Sequence, residues 1–125
     1  MPEQNGCLKV ALTAGGATAG SVLALANPEG AELLITRVIL NITTGAGGAF
    51  TADCGVAANG TTSSDTLLDG VSIVAASVVD NVNNGGTNGK ARQLWGASQY
   101  ITITPSASIS ATAFAGDAYI QWVRV

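Results

Sequence analysis

Glu32-Leu33-Leu34-Ile35-Thr36-Arg37-Val38-Ile39-Leu40-Asn41-Ile42-Thr43 is the stretch whose reading decides the fold. Half of these residues are β-branched, stiff at χ1 and better suited to a pleated sheet than to a helix. Glycine clusters flank the run and argue against helical continuation. With a period of two, Leu34, Thr36, Val38, Leu40 and Ile42 share one face, and Leu33, Ile35, Arg37, Ile39 and Asn41 the other. Both faces carry aliphatics. That predicts a strand in mid-sheet, with its second face partly covered.

Outward from this strand, Thr44-Gly45-Ala46-Gly47-Gly48 reads as a turn. It leads into Phe50, Ala52, Cys54 and Val56, which alternate with Thr51, Asp53 and Gly55. The two strands are expected to form an antiparallel hairpin, its core face lined by Phe50 and Val56. Upstream, Leu8 to Thr13 alternates apolar and polar. Ser21 to Leu25 makes a shorter strand, stopped by the turn Asn27-Pro28-Glu29-Gly30. Downstream, Thr61 to Gly70 predicts one helical turn, capped by Ser63 or Ser64 and ended by Gly70. Val71 to Val79 fits both periods and is read as a strand. Asp80 to Lys90 is a polar loop. Four more strands are expected at Arg92–Trp95, Gln99–Thr104, Ser108–Phe114 and Tyr119–Val125, the last with Ala118, Ile120 and Trp122 on one side. Pro105 marks an edge or an exit, because it cannot donate to a ladder. Eight or nine short strands without a long helix predict an all-β fold: one antiparallel β-sandwich domain over residues 1–125, of jelly-roll or Greek-key type.

The side chains exclude much chemistry. No histidine is present, so Ser-His-Asp and Cys-His catalysis cannot be assembled within the chain. Asp65, Asp69 and Asp80 offer carboxylates for glycoside hydrolysis, but each lies in turn-like sequence, where Asp bonds local backbone N–H groups. The stretch Asn84-Gly85-Gly86-Thr87-Asn88-Gly89-Lys90-Ala91 resembles a phosphate loop. It has Asn84 where the first glycine belongs and Ala91 where a Ser or Thr would bind magnesium, and no helix follows. Asp80, Asn81, Asn83, Asn84 and Asn88 could donate oxygens to calcium. EF-hand spacing is lacking and the loop holds one carboxylate, so a metal-free loop is the reading adopted. Cys7 and Cys54 form no metal-ligand pattern and are read as free thiols, Cys54 pointing inward. Trp95, Tyr100, Tyr119 and Trp122 would make a sugar-stacking platform if exposed, but packing is their ordinary role. No catalytic, cofactor-binding or metal-binding residue is assigned.

Partners are constrained by charge. The basic residues Lys9, Arg37, Lys90, Arg92 and Arg124 are scattered, the formal net charge is −3 and the pI is near 4.5, which argues against nucleic acid. The exposed pair Lys90 and Arg92 reads as a solvated loop. Runs such as Leu33-Leu34-Ile35 are too short to span a bilayer. Met1 to Asn5 is polar and lacks a signal-peptide pattern, so a soluble product made in a cytosol is expected. A small domain with apolar strands on both faces and 10% charged residues is expected to associate, as an oligomer or on a particle.

The segment from Glu32 to Asn41 resembles small structural proteins encoded near the capsid genes of tailed bacteriophages. So do Ala52-Asp53-Cys54-Gly55-Val56-Ala57, Thr62-Ser63-Ser64-Asp65, Asn88-Gly89-Lys90 and Ala118-Tyr119-Ile120-Gln121-Trp122-Val123-Arg124-Val125. The resemblance is to head decoration, or cement, proteins. It implies a virion protein on the capsid exterior, synthesised in the host cytoplasm, that clamps neighbouring major capsid subunits, often as a homotrimer at three-fold positions. It implies no enzyme activity and no cofactor. Residues 1–30 match least and are expected to include an N-terminal arm. The alternatives are a tail, baseplate or fibre module, and a carbohydrate-binding module.

Overall fold

The computed structural model describes residues 4–48, 50–109 and 113–125, and every regular element among them is a strand. In chain order these are β1 (Asn5–Ala11), β2 (Leu23–Ala26), β3 (Leu33–Thr44), β4 (Thr51–Ala57), β5 (Leu68–Ser72), β6 (Ser77–Asp80), β7 (Gln93–Trp95), β8 (Tyr100–Pro105) and β9 (Ala115–Arg124). One sheet runs β1-β9-β3-β6, with β7 also paired to β3; the other runs β2-β8-β4-β5. All pairings are antiparallel.

This order has a simple origin. The pairs β1·β9, β2·β8, β3·β6 and β4·β5 are the rungs of one long folded ribbon, whose successive pairs alternate between the sheets. A ribbon rolled in this way is a jelly roll, with β7 as a short addition alongside β3. The expected β-sandwich is therefore present, and residues 5–26 supply one strand to each sheet.

The core lies between the sheets. Leu33, Ile35, Val38, Leu40, Ile42, Ile101, Ile103, Ala118 and Ile120 are all within 1% of complete burial. Trp95 and Trp122 close one end of it with an edge-to-face contact, ring centroids 6.2 Å apart and planes at 79°. Burying each large aliphatic contributes roughly 1.5–3 kcal/mol.

β3 does sit in mid-sheet, but its two aliphatic faces have a different cause from the expected one. A bulge between Ile35 and Arg37, opposite Trp122 and Gln121, inserts Thr36 as an extra residue. The bulge switches the phase, so Leu33 and Ile35 before it and Val38, Leu40 and Ile42 after it all point inward. Leu34 and Ile39 remain outside, half-buried.

Four local expectations fail. β3 and β4 form no hairpin: the chain crosses between sheets, and β4 pairs with β5 and β8. The face expected on β4 is nonetheless kept: Ala52 and Cys54 are buried, Phe50 and Val56 pack partly exposed against the core, and Gly55 is buried on the outward side. Thr61 to Gly70 forms no helical turn. Its end belongs to β5, where Gly70 (φ 69°) takes a left-handed conformation and donates its N–H to Asp53 Oδ1 at 2.8 Å. Val71 to Val79 is not one strand either. It splits into β5 and β6 on different sheets, with a turn between them. Of Ser108–Phe114, residues 110–112 lie outside the described residues, and Ser108, Ile109 and Phe114 are not in a strand.

Other punctuation behaves as its chemistry demands. Asn27 Oδ1 accepts from the N–H groups of Glu29 (2.9 Å) and Gly30 (3.1 Å), and Gly30 (φ 63°) completes the turn. Pro105 ends β8 opposite Ala52, beyond the last residue paired to β2, so it marks an exit.

Candidate interaction surface

The outward faces of the two sheets are built differently. On the four-stranded sheet, Gly55 and Thr102 face outward opposite one another. Both are small, and the loop of residues 58–67 packs down on them. Thr102 is wholly buried there, its hydroxyl donating to Thr62 O at 2.9 Å. A Cβ on Gly55 would lie 2.6 Å from the Thr66 nitrogen, so only glycine lets the loop approach. Thr66 fastens the loop: its hydroxyl accepts from Val56 N–H (3.2 Å) and donates to Gln93 Oε1 (2.6 Å). The centre of this sheet is thus covered by its own chain, while Ala24, Ala26, Gly70 and Ser72 on its edge strands stay exposed.

The outward face of the five-stranded sheet has no such cover among the described residues. Leu34 on β3 lies between Leu94 on β7 and Val123 on β9, an apolar row across three strands. Further along, Ile39 is flanked by Tyr119, and Asn41 by Val78. Leu94 is 51% and Val78 67% exposed. Lys9, Arg37, Asp80 and Asp117 share this face. Lys9 Nζ stands 4.0 Å from Asp117 Oδ2 and 6.0 Å from the centre of the Tyr119 ring. The β3 bulge leaves a shallow hollow of about 400 Å³ here, bordered by Cys7, Thr36, Gln121 and Val123. The surface can bury apolar area and accept a projecting side chain. It presents no acid–base pair.

The structure places the residues singled out by sequence as follows. Asp80 Oδ1 accepts from the N–H groups of Val82 (2.9 Å) and Asn83 (3.0 Å), and its Oδ2 from the Asn83 amide (3.0 Å). The side-chain bond from Asn83 is the main reason its carboxyl titrates below the usual range. Asp69 accepts from Asn88 N–H, and Asp65 from the Asn88 side chain. All three aspartates thus organise turns. Among the described residues no three of the Cys, Asp and Glu side chains converge as metal ligands would. Lys90 and Arg92 are exposed in the loop. Cys7 is exposed and Cys54 buried, both as free thiols. Burial, then the nearby Asp53 charge, pushes the Cys54 thiol up to about 12.

The aromatic residues do not form a platform. Trp95 is wholly buried and Trp122 nearly so. Trp95 Nε1 donates to Gln99 O at 3.1 Å. Trp122 Nε1 donates to Glu29 Oε2 at 2.6 Å, and the other oxygen of Glu29 takes Arg124 Nε at 2.6 Å. These two bonds, that from Arg124 foremost, hold the Glu29 carboxyl below its ordinary range.

Sequence reasoning named Asn81 only as one oxygen donor of the polar loop and missed its structural role. It is 2% exposed; its Oδ1 accepts from Val38 N–H (2.8 Å), and its Nδ2 donates to the carbonyls of Lys90 (2.8 Å) and Ala91 (3.1 Å). The side chain bolts the polar loop to β3.

No family model matches this chain, and no curated protein matches it. A solved structure does share its architecture. A chain in the structure titled "Capsid of Ralstonia phage GP4" superposes with a TM-score of 0.63, covering 100% of this chain and 89% of that one at 15% identity. The rolled sandwich described above is thus a fold found in a bacteriophage capsid.

Proposed function

We propose that this chain is a non-catalytic virion structural protein of a bacteriophage, a decoration or cement protein that binds the outer surface of the head. The observation that carries this reading is the contrast between the sheets. The centre of one outward face is covered by residues 58–67, while the other leaves Leu34, Leu94 and Val123 in an open apolar row. The fold shared with a capsid chain supports the same assignment.

In this reading the open face lies against neighbouring major capsid subunits, on the capsid exterior. Contact there removes apolar surface from water at roughly 25 cal/mol per Å². The hollow beside Thr36 receives a side chain from the shell. Many copies binding only the assembled lattice stabilise it by mass action, because each bound copy favours the state that presents its site.

The test mixes purified protein with expanded, undecorated heads. Saturable binding and a raised capsid melting temperature are expected. The pair Leu94→Asp and Val123→Asp should lower affinity by at least about a hundredfold, since a carboxylate buried without a partner is costly at an interface. The free variant should still fold, because both side chains lie outside the core. Binding to tails and not to heads would transfer the reading to a tail, baseplate or fibre module. Glycan binding would have to use a surface other than Trp95 and Trp122, which are committed to the core.

A further inference from the structure

The edges of the two sheets are unequal. β2, β6 and β7 are edge strands of four, four and three residues, and β5 is interrupted by Gly70 and a register shift against β4. β1 has seven residues, an unbroken register against β9 and no proline. Its even-numbered residues carry the ladder to β9. In that register Leu12 N–H donates to Gly116 O (2.9 Å) and Arg124 N–H to Gln4 O (2.6 Å). In an antiparallel ladder the alternate residues turn their N–H and C=O groups the other way. Those of Cys7, Lys9 and Ala11 therefore face a side where no described strand lies. Asn5 O, on the same side, takes Arg124 Nη1 at 3.3 Å.

Edges of this length are ordinarily blunted by a bulge, a proline or a lysine lying across them. Here Lys9 is drawn onto the sheet face, towards Asp117 and Tyr119. The inward side chains Leu8 and Val10 touch the core but stay half-exposed, because the sandwich is open on this flank. Among the described residues the edge has neither a backbone partner nor the apolar neighbours that would finish the core there.

We propose that β1 pairs antiparallel with β1 of a second copy, about a two-fold axis through Leu8, joining two five-stranded sheets into one. The register follows from the residues. Hydrogen-bonded pairs must match odd with odd residues. Placing Lys9 opposite Lys9 of the second copy sets like charges together, which is unfavourable. Placing Cys7 opposite Cys7 sets Leu8 against Gly6 and Val10 against Gln4, so no two apolar side chains meet. Placing Cys7 opposite Lys9 sets the two Leu8 side chains against each other in the close, non-hydrogen-bonded pair, with Val10 against Gly6 on either side. The other edges, three to five residues long, would leave part of β1 unpaired, whereas β1 against β1 uses its full length. The contact is isologous and closes as a pair. On this proposal the free protein is a dimer, where the resemblance implied a homotrimer on the capsid.

The test uses the purified chain alone, so it stands apart from any binding to heads. Sedimentation velocity should show a monomer–dimer equilibrium that shifts with concentration. Lys9→Pro removes one outward N–H per chain and leaves the β9 ladder intact. It should weaken association by on the order of tenfold or more, while Lys9→Ala retains the dimer. Hydrogen exchange on the unaltered chain supplies an arm that needs no variant. The Cys7, Lys9 and Ala11 amides should slow as concentration rises, while those of Leu8 and Val10 hold constant. A monomer at every concentration, a trimer, or a dimer whose outward amides exchange at the monomer rate would overturn the proposal. Protection of these amides only when heads are added would assign the edge to a shell protein instead.

Discussion

Asn81 shows how one buried amide fixes a loop of eleven residues (80–90) to the sandwich. Its three hydrogen bonds join β3 to the far end of the loop. Asn81→Ala would strand the Val38 N–H and two carbonyls. We expect a loss of about 1–3 kcal/mol for the Val38 donor alone, read from urea denaturation. The same residue marks a limit of sequence reading. It stands in an Asn-rich run beside Asn83 and Asn84, and nothing in composition separates the buried member from its exposed neighbours. The cysteines were more legible, because alternation on β4 pointed Cys54 inward. With its thiol pushed up to about 12, Cys54 should resist alkylation at pH 8 until the protein is denatured, while exposed Cys7 reacts in the native state. Mass spectrometry after a timed pulse of iodoacetamide reads both. Glu29 gives a pH dependence. Its folded pKa is depressed by Arg124 and Trp122, so the unfolded chain takes up the proton first as the solution is acidified. The stabilisation it supplies is present above the unfolded carboxyl range and is lost as pH falls through about 4 and below. Thermal melts should fall over that window, and by less in Glu29→Gln.

At the level of strands, the segments with strict alternation were legible, and their pairing was not. β8 and β9 could be read from Tyr100 to Thr104 and from Ala118 to Trp122, because period-two burial is written in the residues themselves. The expected β3–β4 hairpin failed because five small residues after Thr43 serve a crossing between sheets as well as a tight turn. Only the packing of Leu40 and Ile42 against the opposite sheet decides between them. β5 was hidden by Gly70, whose left-handed conformation reads as a helix terminator in sequence and acts here within a strand. The loop 58–67 depends on equally local chemistry. Gly55→Ala should destabilise by about 1–3 kcal/mol, as for other overpacked sites, because the new methyl group meets Ser64 and Thr66. Thr102→Val keeps the shape but removes the bond to Thr62 O, and should cost about 1 kcal/mol. Chemical denaturation of each variant measures both effects.

For the molecule as a whole, low charge and two-sided apolar strands led to the expectation that part of the surface is meant for company. The sequence could not say which part. That depends on residues 58–67 folding over one sheet and not the other, a choice visible only once Gly55 and Thr102 are seen as neighbours. The rolled ribbon has a mechanical consequence as well. β1 and β9 lie side by side, and Gln4 meets Arg124 at one corner. Tension applied between those two points would part the ladder like a zip, one rung after another. A load spread across the broad sheet must instead break many rungs at once. Resistance of this fold to pulling therefore depends on where the load enters, low at the Gln4–Arg124 corner and high across the flat of the five-stranded sheet.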